Sequence, residues 1–151
     1  MNPTHKEQFE QPIGRMFSFV GKGYLHLLRT KLNHLDIDRN YYALVLIERY
    51  EGDLSQQQLA LLLDTDKVSI VRIVDYLSLK GYVERIRKTD DRRKQSLLLT
   101  EKAKLALPRI KQSFTEINEI VFKDFSGSRI SELKATLDKI KKNITENIQS
   151  L

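Results

Sequence analysis

The chain contains no cysteine, and only three prolines and six glycines among its 151 residues. Without cysteine there is no disulfide framework, no thiolate zinc site, no cysteine nucleophile and no thiol redox switch. The scarcity of proline and glycine points away from a loop-rich or disordered chain. No apolar run reaches the roughly 18 residues of a membrane-spanning helix. Asn2, Pro3, Thr4, His5 and Lys6 do not resemble a signal peptide, so a soluble cytoplasmic protein is expected. Also missing are a glycine-rich phosphate loop, a metal-spaced His/Asp cluster and a supported Ser-His-Asp set. No enzyme, no cofactor and no metal are expected.

What is present is charge and apolar periodicity. Lys and Arg number 26 against 20 Asp and Glu, a formal net charge of +6, and 40% of residues are hydrophobic. The length suits one domain, or one domain with an oligomerisation arm. The excess charge is concentrated. Residues 66–104 hold 11 basic and 6 acidic groups, which is +5 of the +6. Such a run is either a solvated surface or a patch for a polyanion.

Ile13, Phe17, Val20, Tyr24, Leu27, Leu28, Leu32 and Leu35 recur mostly at steps of three and four, predicting a long helix to about Leu35. Pro12 stands where a first helical residue is favoured, and Asp38 reads as the N-cap of a second helix over Tyr41–Tyr50. Ser55 and Gln58 have capping-box spacing, and Leu54 and Leu59 that of a hydrophobic staple, marking a short third helix. A polar turn, Asp64-Thr65-Asp66, leads to a fourth helix that runs to about Lys80 and stops at Gly81. On it Ile70, Ile73, Val74 and Leu77 share a face, with Val68, Arg72 and Asp75 opposite. Tyr82–Ile86 and Ser96–Leu99 read as two strands around a basic tip, Lys88–Lys94.

Helix, short turn, helix and β-wing is the architecture of a DNA reader. Thr100 then caps a helix with apolar positions from Ala103 to Phe125, bent or weakened at Pro108. After Ser126-Gly127-Ser128 a last helix carries Ile130, Leu133, Leu137, Ile140, Ile144, Ile148 and Leu151 at near-heptad spacing. Such a stripe serves either packing within the chain or a second chain. The central module is too small to cover three long amphipathic helices, so the terminal helices, with Ile13 and Phe17, are expected to form a homodimer.

The run Leu59–Val83 and the segment Asp90–Ala103 resemble the MarR family of winged helix-turn-helix transcription regulators. The most specific piece is Asp91-Arg92-Arg93 followed by Leu97, Leu99 and Thr100, similar to the family's wing signature and the start of its next helix. Lys67–Asp75 is similar to its recognition helix. The resemblance implies a mainly α fold with a small β-wing. It divides the chain into an N-terminal dimerisation arm (1–36), a winged helix-turn-helix region (37–100) and C-terminal dimerisation helices (101–151). Lys88 departs from the family pattern, in which an acidic residue is common there, as does Asp64, where Gly or Asn is frequent. The lack of cysteine excludes the family's thiol-oxidation switch. Three histidines (His5, His26, His34) are too few for its zinc-sensing sites.

The fourth helix is then expected in the major groove. Arg72 has the chemistry for a guanine edge or a phosphate, Ser69 for a phosphate or base, and Val68 and Val71 for thymine methyls. The alternative for Arg72 is a surface ion pair with Asp75 or Asp66. Arg93 suits the minor groove, with Asp91 orienting Arg93 or Arg92. Lys67, Arg87, Lys88, Arg92 and Lys94 suit phosphates. The resemblance further implies a cleft for small anionic aromatics, for which Phe17, Tyr24, His26, Arg29, Tyr41 and Tyr42 are the candidates; core packing is the alternative for each. The expected function is sequence-specific binding of double-stranded DNA, on a pseudo-palindromic operator, by a homodimeric regulator that acts as a repressor. The alternatives are sequence-blind architectural DNA binding and a protein-interaction module of the same fold.

Overall fold

The computed structural model describes residues 11–87 and 95–148. In chain order it holds α1 (Ile13–Lys31), α2 (Tyr41–Arg49), α3 (Gln56–Leu62), α4 (Lys67–Leu79), β1 (Val83–Arg87), β2 (Gln95–Leu99), α5 (Glu101–Val121) and α6 (Gly127–Ile148). Backbone packing separates two units, Met1–Ile117 and Asn118–Leu151. No helix among the described residues is long and apolar enough to cross a membrane.

In the first unit, Pro12 is the N-cap of α1 rather than its first helical residue. The helix stops four residues before the expected Leu35. Leu32 leaves helical geometry at φ −109° and is fully buried, and the Leu35 N–H turns back onto the Leu32 carbonyl at 2.9 Å. Burial of Leu32 and then of Ile37 ends the helix, although the apolar spacing alone would continue it. Asp38 does not cap α2. Asn40 does, in the left-handed region at φ 64° and with no side-chain cap bond, while the Asp38 carboxylate is engaged elsewhere.

The capping box at α3 forms in both directions: the Ser55 N–H donates to Gln58 Oε1 at 2.8 Å, and the Gln58 N–H donates to Ser55 Oγ at 3.1 Å. Both staple leucines, Leu54 and Leu59, are buried. Asp64 takes φ 51°, so a residue other than Gly or Asn supplies the left-handed turn between α3 and α4. Gly81 at φ 78° ends α4, where a side chain would be strained.

The two strands pair antiparallel, with Val83 opposite Leu99 and Arg87 opposite Gln95. A single bridge adds Leu54 on the far side of β2, through the Leu97 N–H and the Leu54 carbonyl at 2.8 Å. Ile70, Val74 and Leu77 of α4, Leu44 and Ile47 of α2, Leu97 of β2, and Leu107 and Ile110 of α5 are among the buried residues that make the core. Thr100 Oγ1 donates to the Gly81 carbonyl at 2.7 Å and accepts from the Ala103 N–H at 3.3 Å, so the cap of α5 also fastens the start of the wing. Pro108 lies inside α5 and deprives the Lys104 carbonyl of its helical donor.

In the second unit, α5 ends at Val121, short of the expected Phe125, and Asp124 turns the chain at φ 66°. Ser126 Oγ accepts from the Arg129 N–H at 3.2 Å, Phe125 meets Phe122 edge to face, and the Arg129 guanidinium lies 4.8 Å over the Phe125 ring. Helix α6 buries none of its residues. Ile130 and Ile140 are half-buried, and Leu133, Leu137, Ile144 and Ile148 are exposed. Ile13 and Phe17 on α1 are exposed as well. Leu151 lies outside the described residues.

Candidate nucleic-acid interface

The start of α4 is defined by one carboxylate. Asp66 Oδ1 accepts from the Val68 and Ser69 N–H groups at 2.9 and 2.8 Å, and Asp66 Oδ2 accepts from Ser69 Oγ at 2.7 Å. These bonds, the Ser69 amide foremost, hold the Asp66 carboxyl below its ordinary range. They satisfy N–H groups that the first turn would otherwise leave unpaired. The Ser69 hydroxyl, expected to face DNA, therefore has a partner inside the protein.

Beyond the cap, Lys67, Val68, Val71 and Arg72 are all exposed, Val68 at 62% and Val71 at 40%. Neither expected ion pair of Arg72 forms. Asp66 serves as the cap, and Asp75 Oδ1 accepts from Arg85 Nη2 at 2.6 Å. Arg85 also donates through Nε and Nη2 to Gln56 Oε1, at 3.2 and 3.0 Å. That guanidinium ties α3, α4 and β1 together and neutralises the acidic group nearest Arg72 on the helix. Arg72, Lys67 and Arg87 make no ion pair or side-chain hydrogen bond among the described residues. Lys88, Asp91, Arg92, Arg93 and Lys94, the expected wing-tip contacts, lie outside the described residues.

Two further carboxylates tie α4 and the residue before β1 to the α1–α2 linker, and neither has a local sequence signal for this role. Tyr76 Oη donates to Asp38 Oδ1 at 2.9 Å and accepts from the Asp38 N–H at 3.0 Å. Tyr82 Oη donates to Asp36 Oδ1 at 2.7 Å, and Lys102 Nζ donates to Asp36 Oδ2 at 2.7 Å. These partners lower both carboxyls, Lys102 first for Asp36 and Tyr76 first for Asp38. Burial is the main cause that raises both tyrosines. Sequence separations of 38 and 46 residues leave no local signal for either pair.

The expected ligand residues divide. Tyr24, Tyr41 and Tyr42 line one cavity of about 410 Å3 with Leu25, Leu28, Asn40, Leu63 and Phe114. Tyr42 meets Phe114 edge to face, with ring centres 6.3 Å apart, and Tyr41 Oη donates to the Ile37 carbonyl at 3.1 Å. Phe17, His26 and Arg29 are not in its wall. Arg29 Nε instead donates to the Asp38 carbonyl at 2.8 Å. Among the described residues no group of three or more His, Cys, Asp or Glu is placed to hold a metal ion.

Comparison with known proteins bears on the same segment. Residues 37–94, from the α1–α2 linker to the wing, match the MarR family. An uncharacterised HTH-type transcriptional regulator of Bacillus subtilis (strain 168), YybA, is 23% identical over 133 residues, covering 87% of this chain and 88% of that one. The crystal structure of a MarR transcriptional regulator from Methanosarcina mazei Go1 is similar at 28% identity and a TM-score of 0.72, over 89% of this chain and 96% of that one. A mutant E. coli MarR crystallised with operator DNA shares the fold at 24% identity and a TM-score of 0.75, over 86% of this chain and 94% of that one. With a MarR family match over residues 37–94 and a fold shared over most of its length, the chain is similar to the winged helix-turn-helix transcriptional regulators of that family.

Proposed function

We propose that the protein is a sequence-specific repressor that binds double-stranded DNA as a homodimer on a pseudo-palindromic operator. The observation that carries this reading is the outer face of α4. Lys67, Val68, Val71 and Arg72 are exposed there, and the nearby carboxylates Asp66 and Asp75 are already consumed inside the protein. Such a face offers cations and methyl-sized apolar groups to a major groove without a competing acid. The E. coli protein that shares this fold was crystallised with operator DNA, which supports DNA as the partner. Arg72 reads a base edge, Val68 and Val71 meet thymine methyls, and Ser69 contributes through its position in the cap. Lys67, Arg87, Lys88, Arg92 and Lys94 hold phosphates, and Arg93, oriented by Asp91, enters the minor groove.

The terminal helices supply the dimer. Ile13, Phe17, Ile130, Leu133, Leu137, Ile140, Ile144, Ile148 and Leu151 are its apolar contacts, and half-sites lie about one DNA turn apart. A small aromatic or anionic effector enters the cavity at Tyr24, Tyr41 and Tyr42 and releases the DNA.

Random-oligonucleotide selection with the purified protein, followed by binding measurements across salt, tests the reading. A recovered palindrome is expected, with affinity falling steeply between low and physiological salt. Arg72→Ala should lower affinity for that site by about 1–3 kcal/mol and relax the preference at one base position. Selection that yields no shared sequence would leave sequence-blind DNA binding or a protein-interaction module of the same fold.

A further inference from the structure

The linker from α1 to α2 holds both DNA-facing elements at once. Its Asp36 and Asp38 flank Ile37, which is buried and fixes the segment in the core. Asp38 meets α4 through two hydrogen bonds with the Tyr76 hydroxyl, and the Arg39 guanidinium lies 4.3 Å over the Tyr76 ring. From α1, Arg29 Nε reaches the Asp38 carbonyl. Asp36 meets the root of the wing through Tyr82 Oη, while Lys102 Nζ bonds both Asp36 and the Lys80 carbonyl and lies 4.6 Å over the Tyr82 ring.

Apolar packing resists separation of α4 from the core, but it is non-directional and leaves rotation about the helix axis weakly specified. Hydrogen bonds to a carboxylate have direction and fix that angle. Tyr76 lies four residues after Arg72, on the same stripe of the helix. A rotation of about 15° moves a side-chain tip some 6 Å off the axis by roughly 1.5 Å, enough to break a hydrogen bond. We propose that Asp38, acting through Tyr76, is a positioning residue that sets the angle at which α4 presents Arg72, while Asp36 does the same for the wing through Tyr82. The inference rests on the reading of α4 as the base-contacting helix.

The test uses the full-length chain and the operator recovered by selection. Tyr76→Phe removes one oxygen, Asp38→Ala removes the acceptor, and Asp38→Asn keeps an acceptor in place. Tyr76→Phe and Asp38→Ala are each expected to weaken operator binding about tenfold, and the double variant no more than Asp38→Ala alone. Asp38→Asn should stay within about twofold of wild type. The salt slope should not change in any of them, because no phosphate contact is lost. Amide exchange within Lys67–Leu79 of the DNA-free protein should rise several-fold in Tyr76→Phe, with the thermal midpoint close to wild type.

Unchanged affinity and unchanged exchange in Tyr76→Phe would overturn the proposal. So would additive losses in the double variant, or a salt slope reduced by about one. If Asp38→Ala fails to fold, Tyr76→Phe and Asp38→Asn decide alone. Faster exchange in a protein whose wild type selects no DNA sequence would defeat the proposed function and leave the hold of Asp38 on α4 standing.

Discussion

Helices α4 and α6 carry the same kind of apolar stripe and use it differently. Over 13 residues α4 buries Ile70, Val74 and Leu77 in the core of its own unit. Over 22 residues α6 repeats an apolar residue every three or four positions and buries none. Periodicity identifies a face that requires cover but does not say which chain provides it. A helix can keep its stripe in water only at the cost of leaving that surface hydrated, at roughly 25 cal/mol for each Å2. The proposed dimer removes that cost for α6, whereas the stripe of α4 is already covered and its mixed face of Lys67, Val68, Val71 and Arg72 is turned outward.

The most forceful way to break this contrast is to charge the uncovered stripe. Replacing Leu133 and Leu137 together by Glu should raise the dimer dissociation constant by at least about 100-fold, since two buried leucines are lost from the interface. Sedimentation equilibrium indistinguishable from wild type would return α6 to solvent and remove the homodimer from the proposed function. A smaller effect is expected in the covered stripe. Leu77→Ala should cost about 2–5 kcal/mol through the cavity it leaves, read from the urea midpoint at fixed protein concentration. That loss should not vary with protein concentration, whereas the loss from Leu137→Ala should. Equal concentration dependence for both variants would erase the distinction between the two helices. The smallest effect belongs to a helix end. Ser55→Ala removes one half of the capping box of α3 and should cost about 1 kcal/mol, measured in the same urea titration.

What the sequence made legible was local. The capping box of Ser55 and Gln58, the stop at Gly81, the Thr100 cap and the two strands of the wing all follow from residues within a few positions of one another. The buried face of α4 was also readable, because a 3.6-residue period is a property of the segment itself. Where distant groups compete, that legibility ended. Asp38 has the chemistry of an N-cap, but Tyr76, 38 residues later, takes its carboxylate and Asn40 is left to start α2. Arg72 has Asp75 three residues on and Asp66 at the start of its helix as expected partners, yet Arg85 claims Asp75 and the first-turn amides claim Asp66. The cavity shows the same limit, since it gathers three of the six aromatic and basic residues named for it and turns Arg29 toward the linker.

The hairpin has a further consequence, for association of folded copies. β2 is flanked on both sides, by β1 and by the bridge to Leu54, so β1 carries the hairpin's outer edge among the described residues. An open edge is a template on which another chain can add a strand. Here the edge strand is Val83-Glu84-Arg85-Ile86-Arg87, with charged groups at three of five positions, all exposed. A second copy laid against it would have to strip water from these charged groups. The charged side chains of β1 thus guard its edge against β-aggregation, and replacing Arg87 by a neutral residue would test that guard and the proposed phosphate contact together.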